Sequence, residues 1–190
     1  MVKSSGKIFE NRVEKIILST PVFSDDVFNP NKSFINVFNY NEFMKLHSEF
    51  ESGIRNNKNE IFLFKNFPHG NDKGERTEFC IVQKVNNTLI KFRIECKFQG
   101  GSGSSHQKIA DGIDEYQDFK LITAESYYII VYDGNFFNTK SKITNNVLRK
   151  IRFDFDILFL NVKEFESFFS EYSRTHDVLS TFKNHHKIIK

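Results

Sequence analysis

The sequence predicts an α/β domain: a mixed sheet of four to five strands flanked by helices. Three observations lead there. Apolar runs of strand length alternate with segments whose apolar residues recur at helical spacing. Two early extended runs are separated by Asn86-Asn87, and Asn tolerates the positive φ of a tight hairpin. The later run Tyr127 to Tyr132 is continuously apolar, as strands covered on both faces are. A hairpin early and crossovers later make a mixed sheet.

Element by element, Gly6 to Leu18 reads as a helix, with Phe9, Val13, Ile16 and Ile17 on one face and Pro21 just past its end. Residues 22–39, rich in Asn, Ser, Asp and Pro, read as a loop pinned by scattered Phe. A helix is expected over 41–53, where Phe43, Leu46 and Phe50 share a face. Ile61 to Lys65 is a short strand, and Pro68 to Gly74 a loop. Arg76–Val85 and Leu89–Gln99 form the hairpin. Gly100 to Ser105 is a turn whose serines can cap a helix running to about Lys120. A short basic helix over 143–152, a strand over Phe155–Leu160, a helix over Val162–Tyr172 and a helical tail over 176–190 complete the chain.

Composition bounds the function. The 190 residues fit one domain, at about 100–200 residues each. Its core spans about 6–160, with a helical extension over about 162–190. Phe is abundant, at 23 with no Trp, and most of these rings belong in a core. With 39% hydrophobic and 27% charged residues, disorder is excluded. The net charge of +3 rules out a polybasic tail, so nucleic-acid binding requires clustered basic residues. No apolar run is long enough to span a membrane. Met1 to Gly6 has no apolar h-region, so an intracellular, cytoplasmic protein is expected. Cys80 and Cys96 read as reduced, buried thiols. His106, His176, His185 and His186 lack zinc spacing, and His185-His186 reads as a solvated tail. The glycines of Gly100 to Ser105 do not form a nucleotide-binding fingerprint.

The chemistry concentrates in Arg93 to Gln99. Strand periodicity turns Arg93, Glu95, Lys97 and Gln99 to one face and Ile94, Cys96 and Phe98 to the other. Glu95 and Lys97 then stand roughly 6–7 Å apart along the backbone. The hairpin places Glu78 at a similar distance from the turn, so Glu78 and Glu95 can be cross-strand neighbours. Two carboxylates so close repel unless something positive separates them. A hard divalent cation such as Mg²⁺ suits that demand, with the Cys96 backbone carbonyl as a third oxygen ligand. Such a site fits phosphodiester hydrolysis, with Lys97 orienting the attacking water or stabilising phosphate charge.

These residues resemble the PD-(D/E)xK nuclease superfamily: Glu78, then Glu95-Cys96-Lys97, after a helix carrying Gly6-x-x-x-Glu10. Glu95 to Gln99 followed by Ser102-Gly103-Ser104 resembles a subgroup of type II restriction endonucleases. The resemblance implies a restriction-endonuclease-like core over one nuclease domain. It also implies a Mg²⁺-dependent endonuclease, with Mn²⁺ able to substitute, that leaves 5′-phosphate ends. Glu78 and Glu95 would hold the metal, Lys97 would act on water and phosphate, and Glu10 and Gln99 would support them. The first acid is usually Asp in that superfamily; here it is Glu, with Glu75 and Asp72 as alternatives if the register differs.

Double-stranded DNA is the expected partner, held by Ser102, Ser104 and His106 of the Gly-rich turn and by Arg149, Lys150 and Arg152. Cutting both strands calls for a homodimer, and a restriction role for a cognate DNA methyltransferase. A mobile-element, recombination or repair nuclease reading DNA structure is the alternative. A non-catalytic DNA-binding protein is a third. Independently of these, Glu95 and Lys97 also read as an ordinary solvated strand face, with Arg93 pairing Glu78.

Overall fold

The computed structural model describes residues 5–21, 35–36, 45, 48, 61–68, 76–85, 88–100, 126–135 and 157–188. Helix α1 spans Ser5–Leu18. The strands are β1 (Ile35–Asn36), β2 (Ile61–Pro68), β3 (Arg76–Val85), β4 (Thr88–Phe98), β5 (Ser126–Asp133) and β6 (Leu158–Asn161). Helices α2 (Val162–Thr175) and α3 (Val178–Ile188) follow. The strands form one open mixed sheet in the order β1-β2-β3-β4-β5-β6. β2, β3 and β4 are an antiparallel meander, while β1–β2, β4–β5 and β5–β6 are parallel. The molecule is therefore α/β with a mixed sheet.

The hairpin turns where the Asn pair placed it, with Val85 opposite Thr88. Period two then sorts the sheet. Leu63, Phe79, Ile81, Phe92, Ile94, Ile129, Val131, Leu158 and Leu160 face one side. Phe9, Val13 and Ile17 of α1, Phe165, Phe168, Phe169 and Tyr172 of α2, and Phe182 of α3 close over them. In α1 the buried residues recur every fourth position, the spacing of one helix face. The opposite side is also buried, through Phe64, Phe67, Cys80, Tyr128, Ile130 and Phe159. The rings thus pack as core: Tyr132 stacks on Phe159 at 4.6 Å and Phe92 on Tyr127 at 5.0 Å.

α2 begins at a capping box. The Asn161 side chain accepts from the Glu164 amide, and Glu164 accepts in return from the Asn161 amide. It ends on His176 in the left-handed region, φ 51°. Gln83 of β3 clasps that joint. Its Nε2 donates to the His176 carbonyl at 3.1 Å, and its Oε1 accepts from the Val178 amide at 3.4 Å.

Four expectations need correction. The stretch 22–39 contributes β1, too short at two residues to show any period. β2 runs on to Pro68, its pairing with β3 resuming at Phe67–Thr77 past a left-handed Asn66, φ 56°. β6 is shifted and ends at Asn161, whose side chain opens α2. His185 is buried rather than solvated, since α3 lays it against the Phe168 ring, 5.3 Å away. Of the helix expected over 41–53, Lys45 and Ser48 are described, both helical. The helix to Lys120, the basic helix over 143–152 and the loops over 69–75 and 101–106 lie outside the described residues. Among the described residues, no helix is long and apolar enough to cross a membrane.

Candidate functional site

The β3–β4 register runs from Val85–Thr88 to Phe79–Ile94. Beyond that pair β3 stays with β2 as far as Arg76–Pro68, while β4 stays with β5 as far as Phe98–Asp133. The sheet therefore forks where Glu78 and Glu95 stand opposite each other. The fork is filled by a side chain. Glu78 Oε2 accepts the Cys96 amide at 2.9 Å, taking a backbone donor at the point where the strands part company. On the other side of the β2–β3 pair, left-handed Asn66 stands opposite Glu78, between the paired residues Lys65–Phe79 and Phe67–Thr77.

The carboxyl groups of Glu78 and Glu95 lie within hydrogen-bonding reach of each other. Such a bond requires a proton on one of them. Burial pushes the Glu78 carboxyl above the ordinary range, against the bonds from Glu95 and the Cys96 amide and the charge of Lys97. Lys97 Nζ donates to Glu95 Oε1 at 2.9 Å. Their side chains are only 15% and 9% exposed, so the solvated-face alternative for these residues does not hold. Nor does Arg93 pair with Glu78. It stands opposite Cys80, with its guanidinium 4.7 Å from the centre of the Phe67 ring, and burial pushes it down from its ordinary value.

α1 brings further charge. Its buried stripe places Phe9 against Phe98, rings 5.9 Å apart. Glu10 and Glu14 follow the stripe by one residue. Glu10 pairs with Lys7 and its charge reaches the Cys96 thiol, while Lys7 lies within the field of Glu78. Glu14 instead binds Lys65 of β2 at 2.6 Å. So the first turns of α1 bring Glu10 toward the fork, and Glu14 serves as an anchor to β2. The Cys96 thiol is held well above its ordinary range by burial and then by Glu78 and Glu95, and Cys80 is pushed up to about 12 by burial. Both are free cysteines.

Of the expected site residues, Glu78, Glu95, Lys97 and the Cys96 backbone come together, Glu10 approaches, and Gln99 follows at the strand end. The Cys96 amide joins the site through its bond to Glu78. Ser102, Ser104, His106, Arg149, Lys150 and Arg152 lie outside the described residues. Sequence reasoning missed Asn66 and Lys7. An Asn interrupting an apolar strand was a readable sign of left-handed backbone; the side of α1 taken by Lys7 was not readable before its docking was known.

Among the described residues, no group of three or more His, Cys, Asp and Glu forms a ready metal cage. The fit to a cation rests on the pair alone. Two carboxyl groups facing each other, that of Glu78 raised by burial, are hard oxygen donors with an excess of negative charge once ionised. That suits Mg²⁺, which keeps several waters and takes one or two carboxylates from protein. Compared with protein-family models, curated proteins and solved structures, the chain matches none.

Proposed function

We propose that this protein is a Mg²⁺-dependent deoxyribonuclease of restriction-endonuclease type, cutting phosphodiester bonds of double-stranded DNA. The observation that carries the reading is the fork that gathers Glu78, Glu95, Lys97 and the Cys96 amide at one point. In a merely structural sheet, two carboxyl groups facing each other at low exposure are a liability. In a hydrolytic site they are the holders of a cation.

Glu78 and Glu95 would hold Mg²⁺, which when bound supplies charge stabilisation for the phosphate and a more acidic water. The Cys96 amide fixes the rotamer of Glu78. Lys97 would present its ammonium to the phosphate and its developing charge. Glu10 would add negative charge near the site, and Gln99 would stand at the strand end as a hydrogen-bonding group. The arrangement lies toward the carboxyl ends of the parallel strands β4 and β5, where open α/β sheets bind ligands.

The test is incubation of mixed plasmid and phage DNA with the protein, in Mg²⁺ or in EDTA, beside Lys97→Ala. Discrete fragments that need both Mg²⁺ and Lys97 support a site-specific enzyme. Cutting confined to branched or nicked DNA redirects the reading to a nuclease of DNA structure. No cutting of any form, or cutting indifferent to Lys97→Ala, overturns it.

A further inference from the structure

The parallel strands β4 and β5 end side by side, Phe98 opposite Asp133. One residue later the two chains touch through their backbones. The Gln99 amide donates to the Asp133 carbonyl at 3.0 Å. Gly134 follows with φ +112°, and a Cβ there would stand 2.1 Å from the Gln99 carbonyl oxygen and 2.5 Å from its carbonyl carbon. A left-handed turn alone would favour glycine. Here there is a second, independent demand: the space a side chain would need is occupied by the main chain of Gln99.

Asp133 completes the contact from its side chain. Oδ1 accepts the Gly134 amide at 2.7 Å, which holds the turn. Oδ2 faces the Arg12 guanidinium of α1 at 3.4 Å. The β5 turn is thereby tied to the helix that carries Glu10. What the turn touches is the residue two places after Lys97. Functional groups keep their aim when packing locks the backbone that carries them.

We propose that Gly134 is a positioning residue for the site at the fork, clamping the Gln99 main chain and so setting the aim of the Gln99 side chain. Its catalytic consequence rests on the nuclease reading; the clamp itself does not. Without the clamp the strand end drifts, and a displacement of about 1 Å in a positioned group can cost about 100-fold in rate.

The experiment uses Gly134→Ala, Gln99→Ala and the double variant of the full chain, reading two quantities. The first is hydrogen exchange at the Gln99 amide, which should become at least about tenfold faster in Gly134→Ala as its bond to Asp133 is lost. The second is DNA cleavage in Mg²⁺. Gly134→Ala should lower kcat about 10- to 100-fold with KM within about threefold. In the Gln99→Ala background it should cost less than about twofold more, because the two act as one unit. A Gln99 amide as protected in Gly134→Ala as in the parent overturns the clamp; losses that multiply in the double variant overturn its action through Gln99. Should Gly134→Ala not fold, Asp133→Ala, which removes the cap on the Gly134 amide, is read the same way: faster exchange at Gln99 supports the clamp and unchanged exchange overturns it. A parent protein that cuts no DNA brings down the nuclease reading, and the exchange result then decides the clamp alone.

Discussion

Two buried clusters among the described residues are built differently. At the α2–α3 junction Glu171 is met by two partners: Asn184 donates to it at 3.0 Å, and His185 Nε2 lies 3.2 Å away. One carboxylate faces one amide and one imidazole. At the β3–β4 fork two carboxyl groups face each other, with the ammonium of Lys97 and the amide of Cys96 on their outer oxygens. In the first cluster the carboxyl group meets an amide and an imidazole, the imidazole pushed down from its ordinary value by burial. In the second, burial pushes the Glu78 carboxyl up and the group facing it is another carboxyl. Burial alone therefore does not mark a candidate site; a buried pair of like groups is the stronger sign, because folding gains nothing from bringing them together.

The largest expected effect sharpens this contrast. Lys97→Ala should lower DNA cleavage by about 10³-fold, the cost of losing a group aimed at developing charge. Glu171→Gln at the junction should leave cleavage within about twofold. A comparable loss of cleavage from both variants would erase the distinction between the clusters.

Glu78→Gln comes next, and it acts in opposite directions on stability and activity. Because burial raises the Glu78 carboxyl, its contribution to stability is complete below the ordinary carboxylate range. It is lost as pH rises through the raised value. At neutral pH the ionised group is a burden. Glutamine can still accept the Cys96 amide and can donate to Glu95. The variant should therefore melt higher in EDTA at pH 7, by about 2–4 °C, the shift that about 1 kcal/mol gives in a chain of this size. Mg²⁺ should raise the melting temperature of the parent by mass action and leave the variant unmoved. A variant that melts lower in EDTA and still responds to Mg²⁺ would show that the pair is structural.

The meeting of Glu78 and Glu95 was legible because hairpin length and period two are local properties. Asn86-Asn87 set the turn, and counting from it set the face. The fork was not legible. It depends on which neighbour each strand keeps after Phe79 and Ile94, a competition between β2 and β5 that no local pattern records. The same holds for Arg93 and Glu95. An alternating charged strand reads as a wet face, and only the packing of the second face shows it is dry. Gly134 was readable as a turn, but its contact with Gln99 joins residues far apart in the chain. His185 was misread for a related reason. A pair of histidines near a basic end looks solvated until α3 folds back onto α2.

His185 gives the smallest effect and the cleanest test of the balanced cluster. Burial lowers its imidazole below the ordinary value, while Glu171 and, more remotely, Glu164 pull the other way. A depressed histidine leaves stability intact above about pH 6.5, where it is neutral both folded and unfolded. Stability is lost as pH falls from there through the folded value, since the unfolded chain then binds the proton more readily. The loss cannot exceed about 1.4 kcal/mol per pH unit for one proton, and Glu171 holds it well under that. His185→Gln keeps a donor toward Glu171 and a flat group beside Phe168 but has no proton to take up. Denaturant melts between about pH 7 and 5 should show the parent losing stability relative to the variant, with the two curves meeting above about pH 6.5. Parallel curves through that window would mean that Glu171 fully offsets burial and that this junction is insensitive to pH. DNA cleavage should follow neither curve, since the groups proposed to carry it stand at the fork and not at the junction.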